Sequence, residues 1–364
     1  MRDPGMKQGK KKVLVAMSGG VDSSVAAYLL KEQGYEVVGL TMCLGIPDTA
    51  DASGTRCCGT EAIEDAKKVC LQLGLMHHVL DFSKEMEDDV IGDFIEEYLN
   101  GRTPNPCVRC NKYLKFGKLL DYAKNIGFDF LATGHYAKIK KVDDKYFLYL
   151  AEDKLKDQTY FLYCIPKDDL CKILFPLGGY TKEKVREIAH KNKLPVFSKP
   201  ESQDICFVPD GDYKKFILKR KGVFAKGDIV NKQGRVLGMH AGIINYTLGQ
   251  RSGLGIAHEN PLYVIALDTD KNQVVVGQRE DLKSTALRAR DLNCFADDFS
   301  KHVLAKIRYS QKQAECSIIF NEDKSEAKVV FSIAQEAITP GQSIVFYNED
   351  RVLGGGIIEK VSLD

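Results

Sequence analysis

Residues 11–34 read KKVLVAMSGGVDSSVAAYLLKEQG, and the reading of this stretch decides the fold. Val13 to Ala16 form a short apolar strand that runs into Gly19 and Gly20. The following residues set Val25, Ala26, Leu29 and Leu30 on one face of a helix that Gly34 stops. A strand that turns through glycines straight into a helix is the opening of a β-α-β unit. Working outward, YEVVGLTM (35–42), MHHVLDF (76–82) and GFDFLATGH (127–135) read as three more strands. Between them lie the helical patterns TEAIEDAKKVCLQLG (60–74), KEMEDDVIGDFIEEYLN (84–100) and KFGKLLDYAKNIG (115–127). TKEKVREIAHKN (181–192) adds a helix capped by Thr181. Strands alternating with helices call for a doubly wound parallel sheet.

The texture changes further along. LYVIALDTDKNQVVVGQ (262–278) is patterned as a hairpin, and HVLAKIRYS (302–310), AECSIIF (314–320), AKVVFSI (327–333), QSIVFY (342–347) and VLGGGIIEKV (352–361) follow at strand spacing. We therefore expect an α/β domain over 1–209, a small α+β connector over 210–283 and an all-β barrel over 284–364. At 364 residues the chain is long enough for several cores. With 44% hydrophobic and 28% charged residues it has the composition of a soluble globular protein. No apolar run is long enough to span a bilayer, and MRDPGMKQGKKK lacks the apolar segment of a secretory signal, so a cytoplasmic protein with no membrane partner is expected.

Eleven cysteines, an odd number without repeated spacing, argue against a secreted disulfide framework. Cys70, Cys164 and Cys171 sit in apolar runs and read as packing, whereas Cys107, Cys110 and Cys206 have polar, loop-like neighbours. Residues 51–100 carry 4 basic and 12 acidic side chains, but 101–150 carry 10 and 4. The Cys-x-x-Cys thus lies in the basic block, which is either a solvated face or the footprint of a polyanion.

Ala16 to Ser23, at the carboxyl end of the first strand, combine close-approach glycines, a helix N-terminus and hydroxyl donors, which together make a phosphate cradle. No lysine follows the glycines, so this is not a Walker loop. A tight turn with Asp22 and Ser23 as helix caps is the plainer reading. Ser-Gly-Gly-Val-Asp-Ser resembles the pyrophosphatase-loop signature of enzymes that adenylate a carbonyl oxygen with ATP. In those enzymes the aspartate, here Asp22, serves Mg2+ and the phosphates.

GRTPNPCVRCNKYLKF (101–116), LATGHYAKI (131–139), KDQTYFLY (156–163), SKPESQDICFV (198–208), GQRSGLGI (249–256), AKIRYSQ (305–311) and PGQSIVFY (340–347) together resemble the tRNA-specific 2-thiouridylases. The resemblance implies ATP-dependent sulfur transfer to C2 of the wobble uridine 34 of tRNAs for Lys, Glu and Gln. It further implies an adenylated O2 intermediate and a persulfide sulfur-carrier protein or cysteine desulfurase as partner. Cys110 matches the nucleophile and Cys206 the persulfide carrier. Ala16, Met17, Ser18, Gly19, Gly20, Val21, Asp22 and Ser23, with Met42 and Gly134, match nucleotide-binding positions. Asn105, Pro106 and Cys107 match positions that meet the target base. His135, Lys156, Asp157, Gln158, Arg308, Tyr309 and Gln342 match positions that contact tRNA.

Arg109 and Lys112 flank Cys110, and neighbouring cations favour a thiolate. Cys107 stands where many members of the family carry Asp, and with Cys110 and Cys206 it makes three thiolates, enough to ligate a [4Fe-4S] cluster with one iron open. We take a persulfide route, ending in a Cys110–Cys206 disulfide, ahead of the cluster. A pyrophosphatase-loop synthetase or amidotransferase on a small carboxylate and a zinc-knuckle RNA-binding protein are the alternatives, though the knuckle lacks a second ligand pair.

Overall fold

A computed structural model describes residues 9–46, 60–200, 205–208, 211–299 and 303–361. They form two compact units. The first comprises residues up to Glu87 with Asn111–Thr159 and Ile165–Ser202; the second comprises Asp88–Cys110, Tyr160–Cys164 and the chain from Gln203 onward. The boundary expected between 209 and 210 falls outside the described residues.

In the first unit, strands β1 (Lys12–Ala16), β2 (Glu36–Cys43), β3 (Met76–Asp81), β4 (Phe130–Ala132) and β7 (Ile173–Leu174) form one sheet in the order β3-β2-β1-β4-β7. All its pairings are parallel, with Val15 opposite Gly39 on one side and Ala132 on the other. Val13, Leu14 and Val15 are at most 1% exposed, as a strand covered on both faces requires. Helices α1 (Val21–Glu32) and α2 (Thr60–Gln72) and the helix Lys182–Lys191 contribute Val25, Ala26, Leu30, Ala66, Val69 and Val185 to a shared core. Thr181 Oγ1 accepts from the Lys184 amide at 3.3 Å, the expected cap. β1 has β2 on one side and β4 on the other, so the chain leaves β1 in one direction and returns beyond it. Ligands of open α/β sheets bind at such a switch point, outside the carboxyl ends of the strands. A hairpin of β5 (Lys138–Val142) and β6 (Lys145–Tyr149) also belongs to this unit.

In the second unit, β8 (Gly227–Asn231), β9 (Val236–His240), β10 (Tyr263–Asp268) and β11 (Gln273–Gly277) form a sheet ordered β10-β11-β8-β9. The β10–β11 hairpin is antiparallel as expected, while β11 pairs with β8 in parallel. Strands β12 (Lys283–Cys294), β13 (Val303–Lys306), β14 (Ala314–Phe320), β15 (Ala327–Glu336), β16 (Ser343–Asn348) and β17 (Arg351–Val361) run antiparallel, and β12 pairs with both β15 and β17. That second pairing closes the barrel and leaves those strands no edge. Leu287, Val329, Phe331, Ile344, Phe346 and Ile358 fill it. The α/β sheet, the connector sheet and the barrel are those the sequence led us to expect.

Two cysteines read as packing are buried. Cys70 is fully so, its thiol pushed up to about 11 by burial, and Cys164 is 6% exposed. Cys171 departs from that reading and is half-exposed, at the end of a short 3-10 helix where Sγ donates to the Asp168 carbonyl at 3.3 Å. Among the described residues no helix is long and apolar enough to cross a membrane.

Candidate functional site

The loop after β1 is internally tied. The Ser18 amide donates to Ser23 Oγ at 3.1 Å, the two hydroxyls lie 3.2 Å apart, and Ser24 Oγ donates to the Gly20 carbonyl at 2.8 Å. Gly20 is the N-cap of α1 and offers no side-chain acceptor to the first helical amides, which leaves that helix end to an anion. Ala16 ends β1, and buried Met17 extends its pairing by donating to the Leu40 carbonyl at 2.7 Å. Half-buried Met42 lies near the carboxyl end of β2. Gly134 follows β4, and a Cβ there would lie 2.7 Å from the Ser23 nitrogen and 2.8 Å from the Asp22 carbonyl carbon. Only glycine lets the two loops approach this closely. The nucleotide-binding positions named from the sequence therefore gather at the switch point.

Asp22 does not cap α1, whose N-cap is Gly20 without a side-chain bond, and so the plainer reading of Asp22 and Ser23 as caps is corrected. Lys182 Nζ donates to both of its carboxylate oxygens at 2.8 Å, and Tyr136 OH donates to Oδ1 at 2.8 Å. Lys182 is buried, at the first position of its helix, and its own amide donates to Asp153 Oδ2 at 2.9 Å. This buried cation beside the cradle is a candidate functional residue that sequence reasoning missed, because its helix was read only for the cap at Thr181. His135, beside Gly134, packs its ring between Phe116 and Phe175 at 5.9 and 6.0 Å, and Nδ1 meets Thr133 Oγ1 at 2.7 Å. Burial, and then the charge of Lys115, holds its pKa well below the usual imidazole range. The ring is neutral at pH 7.

The Cys-x-x-Cys loop lies in the second unit and is clamped along its length. Arg102 donates to both carboxylate oxygens of Glu97, at 2.8 and 2.5 Å. The Thr103 amide donates to the Pro340 carbonyl at 2.9 Å. Asn105 caps the short helix Pro106–Arg109, with Pro106 at its first position, and Cys110 is the next residue. Pro104 and Pro106 are buried, Cys107 is exposed and Cys110 half-buried. Arg109 reaches Asp93 at 2.6 and 2.9 Å. Arg109, the neighbour of Cys110, is thus ion-paired with Asp93. Burial raises the Asp93 pKa, with Arg109 opposing. The ammonium of Lys112 lies over the Tyr113 ring, 5.2 Å from its centroid.

Cys206 is exposed on the turn Ile205–Val208, whose neighbours Phe207 and Val208 are each 2% exposed. Phe207 packs edge-on against Phe94 at 5.1 Å and at a tilt against Phe216 at 5.4 Å. Phe94 adjoins Asp93 on the helix Gly92–Leu99. Adjacent residues of one helix therefore anchor the immediate neighbours of both candidate reactive cysteines, Arg109 beside Cys110 and Phe207 beside Cys206. Among the described residues no three His, Cys, Asp or Glu side chains are grouped to hold a metal ion. Cys107, Cys110 and Cys206 thus do not form a ready ligand set for a cluster.

The remaining positions matched to tRNA contacts serve several ends. Asp157 is buried, accepting from the amides of Ala151 and Thr159 at 2.7 and 3.2 Å and from Thr159 Oγ1 at 2.5 Å. Gln158 Oε1 accepts from the Tyr136 amide at 2.9 Å, and Lys156 is half-buried beside them. Arg308 Nη2 donates to the carbonyls of Glu336 and Ala337. Tyr309, 38% exposed, lies 4.7 Å from the Phe161 ring, with the Lys306 ammonium 5.7 Å from its own centroid. Both follow β13 in a turn rather than lying in a strand. Gln342 Nε2 donates to the carbonyls of Thr103 and Pro104 at 2.9 and 3.2 Å.

Comparison with known proteins agrees with this layout. Residues 11–210 match the family model described as tRNA methyl transferase HUP domain, 214–278 the tRNA methyl transferase PRC-barrel domain, and 284–358 the Aminomethyltransferase beta-barrel domain. The chain is 51% identical to a tRNA-specific 2-thiouridylase MnmA 1 of Syntrophus aciditrophicus (strain SB), over 96% of this chain and 93% of that protein. It is 51% identical to a tRNA-specific 2-thiouridylase MnmA of Clostridium botulinum (strain Alaska E43 / Type E3), over 98% and 100%. It is 50% identical to the MnmA of Carboxydothermus hydrogenoformans, over 97% and 98%. Identity at this level over nearly the whole chain shows that it belongs to the tRNA-specific 2-thiouridylase family of enzymes.

Proposed function

We propose that this chain is a cytoplasmic enzyme that uses ATP to replace O2 of uridine 34 with sulfur in the tRNAs for Lys, Glu and Gln. A uridine carbonyl is a poor electrophile and its oxygen a poor leaving group. O2 attacks the α-phosphate of ATP, pyrophosphate leaves, and O2 becomes part of a phosphoester to AMP. The Ser18–Ser23 loop, the N-terminus of α1 and Lys182 supply donors to the phosphates. Asp22 would hold Mg2+, which would neutralise phosphate charge, since one carboxylate with substrate phosphates is a sufficient site for that ion.

Sulfur arrives from a persulfide carrier protein or cysteine desulfurase as Cys206–S–SH. Its terminal sulfur adds to C2, and AMP departs with the former O2. The Cys110 thiolate attacks Cys206 Sγ and breaks the sulfur–sulfur bond. Sulfur stays on the base, and the two cysteines are left as a disulfide that a dithiol reduces. The observation that carries this reading is the helix Gly92–Leu99, which anchors Arg109 through Asp93 and Phe207 through Phe94. Asn105, Pro106 and Cys107 meet the base, and exposed Tyr309 stacks on RNA. We assign the catalytic segment to 1–209, the connector to 210–283 and the barrel to 284–364.

The test is pyrophosphate release from ATP with and without tRNA, alongside mass spectrometry of the tRNA nucleosides. Release that depends on tRNA, with 2-thiouridine as product, supports the reading. Release that depends on an amino acid would instead mark a synthetase, and none a binding module.

A further inference from the structure

The barrel of such an enzyme is readily taken as an RNA-binding appendage, but its β15–β16 turn is built around the cysteine loop. Gln342 Nε2 donates to the carbonyls of Thr103 and Pro104 at 2.9 and 3.2 Å, linking positions 239 and 238 residues apart in sequence. The Thr103 amide in turn donates to the Pro340 carbonyl at 2.9 Å. Gly341 lies between them at φ +90°, and a Cβ there would sit 2.9 to 3.0 Å from the Thr103 backbone oxygen, carbon and nitrogen. The turn is itself held by β17. The Gly341 amide donates to the Ile358 carbonyl, and the Ile358 amide to the Gln342 carbonyl, both at 2.8 Å. From the other side, Tyr160 OH donates to the Ser343 carbonyl at 2.8 Å, and Tyr163 OH lies 3.1 Å from Ser343 Oγ.

A carboxamide donating to two successive carbonyls fixes the direction of the chain that enters the Pro106–Arg109 helix. Cys110 follows that helix, and Asp93 holds its far end through Arg109. Backbone carbonyls that would otherwise face water are thereby bonded to a rigid strand end.

We propose that Gln342 is a positioning residue for Cys110, coupling the barrel turn Thr339–Ser343 to the reactive loop. The proposal rests on the thiolation reading for its kinetic arm and on geometry alone for its thiol-reactivity arm. Gln342→Met keeps the length and removes both donors. Gln342→Glu places a carboxylate against two carbonyls, and regains a donor only when protonated. Gly341→Ala pushes on Thr103 without touching Gln342.

The kinetic experiment is single-turnover thiolation of a purified tRNA by the full chain, with the affinity for tRNA measured separately. For Gln342→Met and Gly341→Ala the rate constant at saturating tRNA is expected to fall roughly ten- to a hundredfold, the effect of a small misplacement at a reacting centre, while Kd of Gly341→Ala, which leaves the Gln342 side chain in place, stays within about twofold. The rate of Gln342→Glu relative to the native enzyme should rise as pH falls into the carboxylic range, while that of Gln342→Met stays flat. A raised Kd with an unchanged saturated rate would make Gln342 an RNA contact and overturn the proposal.

The second arm needs no turnover. In a Cys107→Ser background, alkylation of Cys110 by iodoacetamide should be severalfold faster once Gln342 is Met, because the loop is released, and an unchanged rate overturns the proposal. If the native enzyme forms no 2-thiouridine, the functional reading fails, and the alkylation arm still decides the positioning role.

Discussion

Lys182 Nζ donates to both carboxylate oxygens of Asp22 at 2.8 Å, although the two residues are 160 positions apart. One is the acidic member of the glycine loop, the other a cation buried at a helix start. Together with Tyr136 they set one positive and one negative charge at the mouth of a phosphate cradle. When the phosphates and Mg2+ enter, we expect Asp22 to turn to the metal and Lys182 to the phosphates.

Lys182→Met should therefore lower tRNA-dependent pyrophosphate release by about 10²- to 10³-fold, the range for removing one aligned charge stabiliser, while the protein stays folded. Asp22→Asn removes a charge partner from Lys182. A fully buried broken pair costs about 3–5 kcal/mol, and solvent at Asp22 reduces the expectation to ~1–2 kcal/mol, measured by urea denaturation. Full pyrophosphate release by Lys182→Met would remove Lys182 from the nucleotide site.

The two candidate reactive cysteines should separate from the nucleotide chemistry. Cys110→Ser and Cys206→Ser are expected to abolish 2-thiouridine while tRNA-dependent pyrophosphate release persists, since neither thiol is needed to adenylate O2. Cys107→Asp should keep its thiolation activity. Nucleoside mass spectrometry and a pyrophosphate assay on the same samples check both statements, and a Cys107→Asp variant with no activity would return the three-thiolate site to consideration.

Acid should destabilise the first unit through His135. The folded ring has its pKa held well below the ordinary value, by burial and then by Lys115, so the unfolded chain binds the proton more readily. Stability from this group is complete above the unfolded pKa of about 6.5 and is lost as pH falls below it, by up to about 2 kcal/mol at pH 5. His135→Gln does not titrate in this range. Denaturation midpoints at pH 7 and pH 5 should therefore differ less for the variant than for the native protein, and an equal drop in both would refute the assignment.

The helix Tyr213–Lys221 has the sequence YKKFILKRK, with Lys215, Lys219, Arg220 and Lys221 exposed. If it lies along RNA, Lys215→Gln, Lys219→Gln and Lys221→Gln together should reduce the slope of log affinity against log salt by ~2, at about 0.7 to 0.9 for each phosphate left without its cation. An unchanged slope places the RNA elsewhere.

Local pattern carried much of the fold into view. The helix over Val21–Glu32, the cap at Thr181 and the β10–β11 hairpin are each specified by residues a few positions apart. Pairings set by tertiary packing were not legible. The parallel match of β11 with β8 and the packing of Asp88–Cys110 with the C-terminal unit depend on partners far along the chain. The same division holds at the site. The glycine loop and the Cys-x-x-Cys announce themselves in sequence, whereas Lys182 is one of many lysines and acquires meaning only beside Asp22. Arg109 adds a second case, a cation adjacent to a cysteine in sequence whose ion pair with Asp93 appears only in the fold.

The most direct test of the central claim is an isotope experiment. A tRNA carrying 18O at O2 of uridine 34 is converted by the enzyme with ATP and a persulfide donor, and the AMP is examined by mass spectrometry. If the oxygen is made a leaving group by adenylation, each 2-thiouridine formed leaves one 18O in the phosphate of AMP. Unlabelled AMP formed alongside 2-thiouridine would contradict the account.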